Sequence, residues 1–243
     1  MNQQNEIVIQ SSVYPSPEES RLVSQIASSV GRARIELAAS ADDFHSQKNS
    51  QDPISRKWAT ESGNDLSVVA WYVNAFPAGR IESVLESLLP IAGQAGIERI
   101  SFAPANLSNS NTGNDTYMAA MNQTVAALAA VMPLAERSGV RCCLRPAQGR
   151  FLTSPVELRE VVTGINSPML GIDLPTCLPD GVPHWIDWLK TLEPNVDSVR
   201  LFVSLKDGVD GVVLAVEQLK EAIGTSCEPR PFDGVITISR AGD

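Results

Sequence analysis

The chain has 243 residues, 43% hydrophobic and 19% charged, enough to bury one sizeable core as a single domain over residues 1–243. Its 28 acidic and 19 basic residues leave a net charge of -9, and no basic run interrupts that balance. This argues against nucleic acid as a partner, since phosphate recognition rests on clustered Lys and Arg. The opening MNQQNEIVIQSS lacks a charged segment followed by an apolar one. No stretch approaches the roughly 18 apolar residues of a membrane span, so a cytoplasmic protein without membrane contact is expected. Cys142 and Cys143 are adjacent while Cys177 and Cys227 stand alone, with no Cys-x-x-Cys pair and no zinc spacing. They read as reduced, mostly buried thiols.

In chain order the pattern alternates. EIVIQSS is a β-branched run, and PSPEESRLVSQIASSVG follows with proline and acids in a first helical turn and Gly31 at its end. RARIELAA reads as a second strand. After it the segment from Ser40 to Asp65 is polar, and only PISRKWATES suits a short helix. LSVVAWYVNAF and IERISFAPANL are strands three and four, each followed by a helical pattern. VRCCLRP, MLGIDLP, VDSVRLFVSL and DGVITIS supply strands five to eight, with helices between them and none after the last. Eight strands alternating with seven helices predict a parallel sheet with right-handed crossovers closed into a (β/α)8 barrel. An open doubly wound sheet is the alternative. It lacks support, because AGQAG at 92–96 ends a helix and TGNDT at 112–116 has the wrong spacing for a dinucleotide loop.

In such a barrel the polar residues at the carboxyl ends of the strands line the site. Strand alternation places Glu36, Arg145, Asp173, Ser204 with Lys206, and Ser239 there. Glu36 and Asp173 could move protons, and Lys206 could do so or bind an anion. Each also has an ordinary structural reading, as a capped acid, an ion-paired acid or a solvated lysine. Neighbouring strands lie about 4.8 Å apart, so Arg145 is expected to reach and pair with Asp173. His45 lies in the loop after strand two, over the expected mouth, as either a surface or a lid residue. His184 and Cys177 read as structural. Arg141 with Arg145, and Arg200 with Ser204, are four apart and share a face, which favours an anionic ligand if that face is inward. A register slip of one residue would instead send these arginines out among the helices.

RIEL, the stretch from RFLTSPVELREVV to GIDLPT, SVRLFVSLKDG and FDGVITIS occur in an order and spacing that resembles the xylose-isomerase-like barrels, a group that includes sugar-phosphate isomerases and epimerases and the endonuclease IV group. The resemblance implies a divalent cation held by glutamate, aspartate, histidine and glutamate on strands five to eight. The matching positions here are Arg145, Asp173, Ser204 and Ser239, and a further family histidine would fall on Thr176. Only the aspartate is kept, so no metal and no other cofactor is expected, with the Arg145 guanidinium standing roughly where the cation's charge would have been. Arg145, Ser204, Ser239, Thr176 and His45 then become candidates for binding a small anionic molecule. Three functions compete: a metal-independent isomerase- or epimerase-like enzyme acting on a small anionic carbonyl or polyol compound, an inactive barrel kept as a binding or scaffolding subunit, and a metal isomerase with relocated ligands. With no eighth helix, Ile236 and Ile238 are expected to face outward uncovered, which predicts a homodimer or partner subunit over strands one and eight.

Overall fold

The computed structural model describes residues 6–12, 14–31, 33–45, 58, 66–76, 80–104, 114–146, 151–177, 185–204, 208–227, 232 and 234–240. Eight parallel strands close a barrel in chain order: β1 (Ile7–Ser12), β2 (Ala33–Ala39), β3 (Val68–Phe76), β4 (Arg99–Pro104), β5 (Arg141–Leu144), β6 (Leu170–Pro175), β7 (Val196–Val203) and β8 (Val235–Arg240). The helices are α1 (Pro17–Val30), α2 (Ala41–His45), α3 (Ile81–Gln94), α4 (Asn114–Ser138), α5 (Pro155–Ile165), α6 (Trp185–Leu192) and α7 (Gly208–Ser226).

Local chemistry explains several boundaries. Ser16 caps α1 by accepting from the Glu19 amide at 3.1 Å, Pro17 opens the first turn, and Gly31 leaves the helix at φ 89°. Ser154 and Pro155 start α5 in the same way, and Asn166 ends it in the left-handed region at φ 51°. The polar stretch after β2 holds one helix that periodicity missed. In α2 the Ser40 hydroxyl accepts from the Asp43 amide at 3.2 Å, and Asp43 accepts in turn from the Ser40 amide at 3.0 Å, a reciprocal cap. The helix expected over 53–62 lies outside the described residues apart from Trp58. By length and composition α4 could cross a membrane, contrary to the sequence expectation. Its alanine-rich run instead packs against α3 as an outer helix of the barrel.

The uncovered seam does not exist. Ile236 and Ile238 are 0% and 2% exposed, in one core with Val23 and Ile26 of α1 and Val216 and Ile223 of α7. β1 pairs with β8 and α1 packs against α7, so the two helices flanking the seam close over it without an eighth. Burial of each isoleucine contributes about 1.5–3 kcal/mol.

Register decides which polar residues enter the barrel. Between β6 and β7 the pairing shifts after Ile172, so Asp173 stands opposite Ser198 and Pro175 opposite Arg200. A second shift after Ile35 sets Glu36 opposite Ala70. Both acids of the interior therefore sit beside an irregularity, the kind of feature that re-aims a side chain. At the amino-terminal end of the barrel Arg34 pairs with Glu6 and with Glu98, and Arg141 binds Asp197 through Nε at 3.0 Å and Nη2 at 2.6 Å. Arg141 and Arg145 share a face, as the sequence suggests, yet they serve opposite ends of the barrel.

Candidate functional site

Arg200 occupies the centre of the barrel and is fully buried, as are Glu36 and Asp173. Its Nη1 and Nη2 donate to the two oxygens of Glu36 at 2.7 and 3.0 Å, and its Nε and Nη2 donate to Oδ2 of Asp173 at 2.9 and 2.6 Å. Nη1 also donates to Ser239 Oγ at 2.7 Å. The other Asp173 oxygen accepts from Ser198 Oγ at 2.6 Å. A planar fork with five donors is the side chain that can satisfy two carboxylates and a hydroxyl at once.

The electrostatics follow from that geometry. Burial opposes the charge on Asp173, but Arg200 and then Arg145 outweigh it and hold the carboxyl below the usual carboxylate range. Burial likewise opposes the charge on Arg200, and Asp173 and Glu36 more than compensate, raising its pKa above the ordinary arginine value. Arg145 is the other case. Burial and the neighbouring Arg200 both lower its pKa, partly countered by Tyr72, Asp173 and Glu36. It has no ion-pair partner among the described residues, and its guanidinium carbon lies 5.1 Å from the Tyr72 ring centre and 5.2 Å from that of Phe202. Arg200 lies 5.3 Å from the same Tyr72 ring.

Above this layer the mouth holds a cavity of 370 Å³, whose polar walls include Gln10, Ser12, Glu19, Arg145 and Ser239 beside the rings of Tyr72 and Phe202. Glu19 comes from the first turn of α1. Its carboxylate accepts from Ser11 Oγ at 2.9 Å, from the Ser12 amide at 2.7 Å and from Ser12 Oγ at 3.0 Å. The buried Trp58 donates its indole N–H to Ser11 Oγ at 3.2 Å. Trp71 is buried and stacks on Phe44 at 4.4 Å, outside the cavity wall that Tyr72 helps to line.

No protein-family model and no curated protein sequence matches the chain. Solved structures do. 3-keto-D-glucoside 4-epimerase from E. coli superposes with a TM-score of 0.68 at 13% identity, covering 99% of this chain and 94% of the other. D-psicose 3-epimerase, crystallised in the presence of D-fructose, gives 0.69 at 13% identity over 96% of this chain and 84% of the other. A xylose isomerase domain protein from Planctomyces limnophilus gives 0.61 at 13% identity over 99% and 92%. The fold is that of the xylose-isomerase-like barrels.

In a xylose-isomerase-like barrel the positions expected to hold a divalent cation are here Arg145, Asp173, Ser204 and Ser239. The donor set does not fit one. Asp173 has both oxygens engaged, Ser239 accepts from Arg200, and Arg145 is itself a cation. A metal ion between Asp173 and Ser239 would meet the guanidinium of Arg200. Among the described residues no group of three or more His, Cys, Asp or Glu is placed to hold a metal. The anticipated direct pair of Arg145 with Asp173 is therefore corrected. Arg200, one strand further on, makes that bond because it is buried in register with the end of β6, while Arg145 acts on Asp173 through space.

The other candidates divide. Glu36, Asp173, Arg145 and Ser239 converge on one column, but Glu36 and Asp173 lie beneath Arg200 and do not line the cavity. Ser204 and Thr176 are half-buried at strand ends outside the cavity wall, and the Thr176 amide donates to the Arg200 carbonyl at 2.8 Å. Lys206, His184 and the side chain of His45 lie outside the described residues. Cys177, expected to be buried, is instead exposed just past the end of β6, and the other three cysteines are buried. Sequence reasoning put Arg200 on the inner face as support for an anionic ligand, whereas the structure bonds its guanidinium to Glu36, Asp173 and Ser239. The signal was a lone arginine inside the apolar run VRLFV. Glu19 went unnoticed as a mouth residue because it reads as an ordinary first-turn acid.

Proposed function

We propose that this barrel binds a small anionic polyol or carbonyl compound, such as a sugar acid or sugar phosphate, at its mouth through Arg145 and without a divalent cation. The supporting observation is that Arg145, with no ion-pair partner among the described residues, lies in the wall of the 370 Å³ cavity, set against Tyr72 and Phe202. Carboxylate and phosphate both match the guanidinium fork. Gln10, Ser12 and Ser239 on the same wall offer partners for hydroxyls. In this reading Glu36 and Asp173 with Arg200 form the rigid floor, their charges spent on one another, and Arg200 stands where the resemblance would put the metal. Calorimetric titration in EDTA with gluconate and glucose 6-phosphate, against glucose as the uncharged control, tests the idea. Saturable binding of either anion, lost in Arg145→Met, is expected. Equal binding of glucose, or no loss in the variant, overturns it.

A second reading, proton transfer of the isomerase or epimerase kind, is favoured by one observation. Glu19 puts a carboxylate into the same cavity, where it could take a proton from a carbon next to a ligand carbonyl. Incubation with fructose 6-phosphate in D2O, followed by NMR, should then show deuterium entering that carbon, with the exchange abolished by Glu19→Gln. Failure to exchange leaves a binding barrel.

A further inference from the structure

The opposite end of the barrel has a cavity of its own, of 390 Å³, framed by Arg34, Arg99 and Arg141 and by Glu6, Glu98 and Asp197. Two of these arginines are engaged, Arg34 by Glu6 and Glu98 and Arg141 by Asp197. Arg99 differs. It is 8% exposed, and its Nε and Nη2 have no hydrogen-bond partner among the described residues. Those two nitrogens form one edge of the guanidinium. Arg141 uses the same edge to hold Asp197, and Arg200 uses it to hold Asp173. Buried donors are almost always paired, and a buried fork with two unpaired donors is rare. Ser101, two residues along the same strand, and Thr237 are also buried hydroxyls without hydrogen-bond partners among the described residues.

We propose that Arg99 anchors a second site, at the amino-terminal end of the barrel, for a small oxyanion of carboxylate shape and single charge. The Nε and Nη2 edge matches two oxygens of one carboxylate. The cavity that Arg99 lines has room for such an ion, and binding requires the shielded Nε and Nη2 edge to turn toward it about the outer torsions of the side chain. Glu6, Glu98 and Asp197 on the same wall set the charge limit, because a polyanion would be repelled by three carboxylates of which Arg34 and Arg141 neutralise only part. The site is independent of the mouth and of any ligand bound there.

The probe is sodium acetate, added to the full chain at constant pH and ionic strength in exchange for chloride, with thermal unfolding and calorimetry as readouts. The measurements are made in Arg145→Met, whose mouth no longer offers a fork to the probe. A saturable rise in Tm is expected there, and none once Arg99→Met is added. Adding Arg99→Lys instead keeps the charge without the fork and should weaken acetate binding about tenfold. No saturable effect in Arg145→Met, or its survival in the Arg145→Met, Arg99→Met double variant, overturns the proposal. Should that double variant not fold, Arg145→Met with Arg99→Lys decides, and unchanged affinity there overturns it. Inorganic phosphate in the same Arg145→Met background tests the charge limit: weaker binding than acetate supports it and tighter binding overturns it.

Discussion

Arg200 and Glu36, 164 positions apart in the chain, are joined across the barrel by two charge-assisted hydrogen bonds of 2.7 and 3.0 Å. Arg200 is at the same time bonded to Asp173, so one guanidinium holds strands β2, β6 and β7 together. Removing it should leave two buried carboxylates facing each other. Arg200→Met is expected to lose about 3–5 kcal/mol in urea unfolding, the range for breaking a buried pair on one side. The triple variant Arg200→Met, Glu36→Gln, Asp173→Asn should recover much of that loss, since it leaves no uncompensated charge.

The acid limb of stability should report Asp173. Its folded pKa lies below the unfolded value of about 3.9. The unfolded chain therefore binds the proton first as pH falls, and the contribution is complete above that value and fades as pH drops through it toward the folded pKa. The stability difference between wild type and Asp173→Asn, measured by urea titration from pH 7 to pH 3, should be constant near neutrality and shrink below about pH 4. A difference that is flat over the whole range would count against the ionised pair.

Cation binding should not return by changing the mouth alone. Arg145→Glu restores a carboxylate at the position where the family resemblance places one, yet Arg200 still fills the space between Asp173 and Ser239. Calorimetry with Mn2+ is expected to show no binding to Arg145→Glu and measurable binding once Arg200→Gln is added. Binding to the single variant would mean that Arg200 does not block the site.

Gly171 is a packing constraint with no bearing on ligand at the mouth. A Cβ built there would lie 1.8 Å from Oδ2 of Asp197, the acid that holds Arg141. Gly171→Ala should cost about 1–3 kcal/mol as an overpacked position, with ligand binding at the mouth unchanged. Chemical denaturation measures the first and calorimetry the second.

Thiol chemistry gives a further check. Burial pushes Cys142 up to about 12, and burial together with Asp197 pushes Cys143 well above the ordinary thiol range. Cys227 is also raised, by burial first and then by Glu193. Cys177 is exposed. One fast-reacting thiol of the four is expected in the native protein with a chromogenic disulfide reagent, and all four after denaturation. Cys177→Ser should abolish the fast phase.

The alternation of apolar runs with amphipathic stretches settled the eight strands and six of the helices between them, because periods of 2.0 and 3.6 are local properties of the chain. Eight strands with crossovers leave few ways to close, so the barrel was legible too, as was the end of it that holds Glu36, Arg145, Asp173 and Ser239. Two things were not legible. Ile236 and Ile238 read as an exposed edge, because no local pattern tells how far α1 and α7 lean toward each other over the seam. Asp173 was matched with Arg145 on the neighbouring strand, because the register shifts after Ile172 and after Ile35 leave no mark in composition. Those shifts bring Ser198 opposite Asp173 and Arg200 close to both acids, and a displacement of one residue along a strand sends a side chain to the other face. The sequence by itself thus determined the eight-stranded barrel and that Glu36, Arg145, Asp173 and Ser239 stand toward the carboxyl ends of its strands. Only the tertiary structure decided which arginine spends its charge on the floor and which remains at the mouth, since that choice depends on strand register and on distances between residues far apart in the chain.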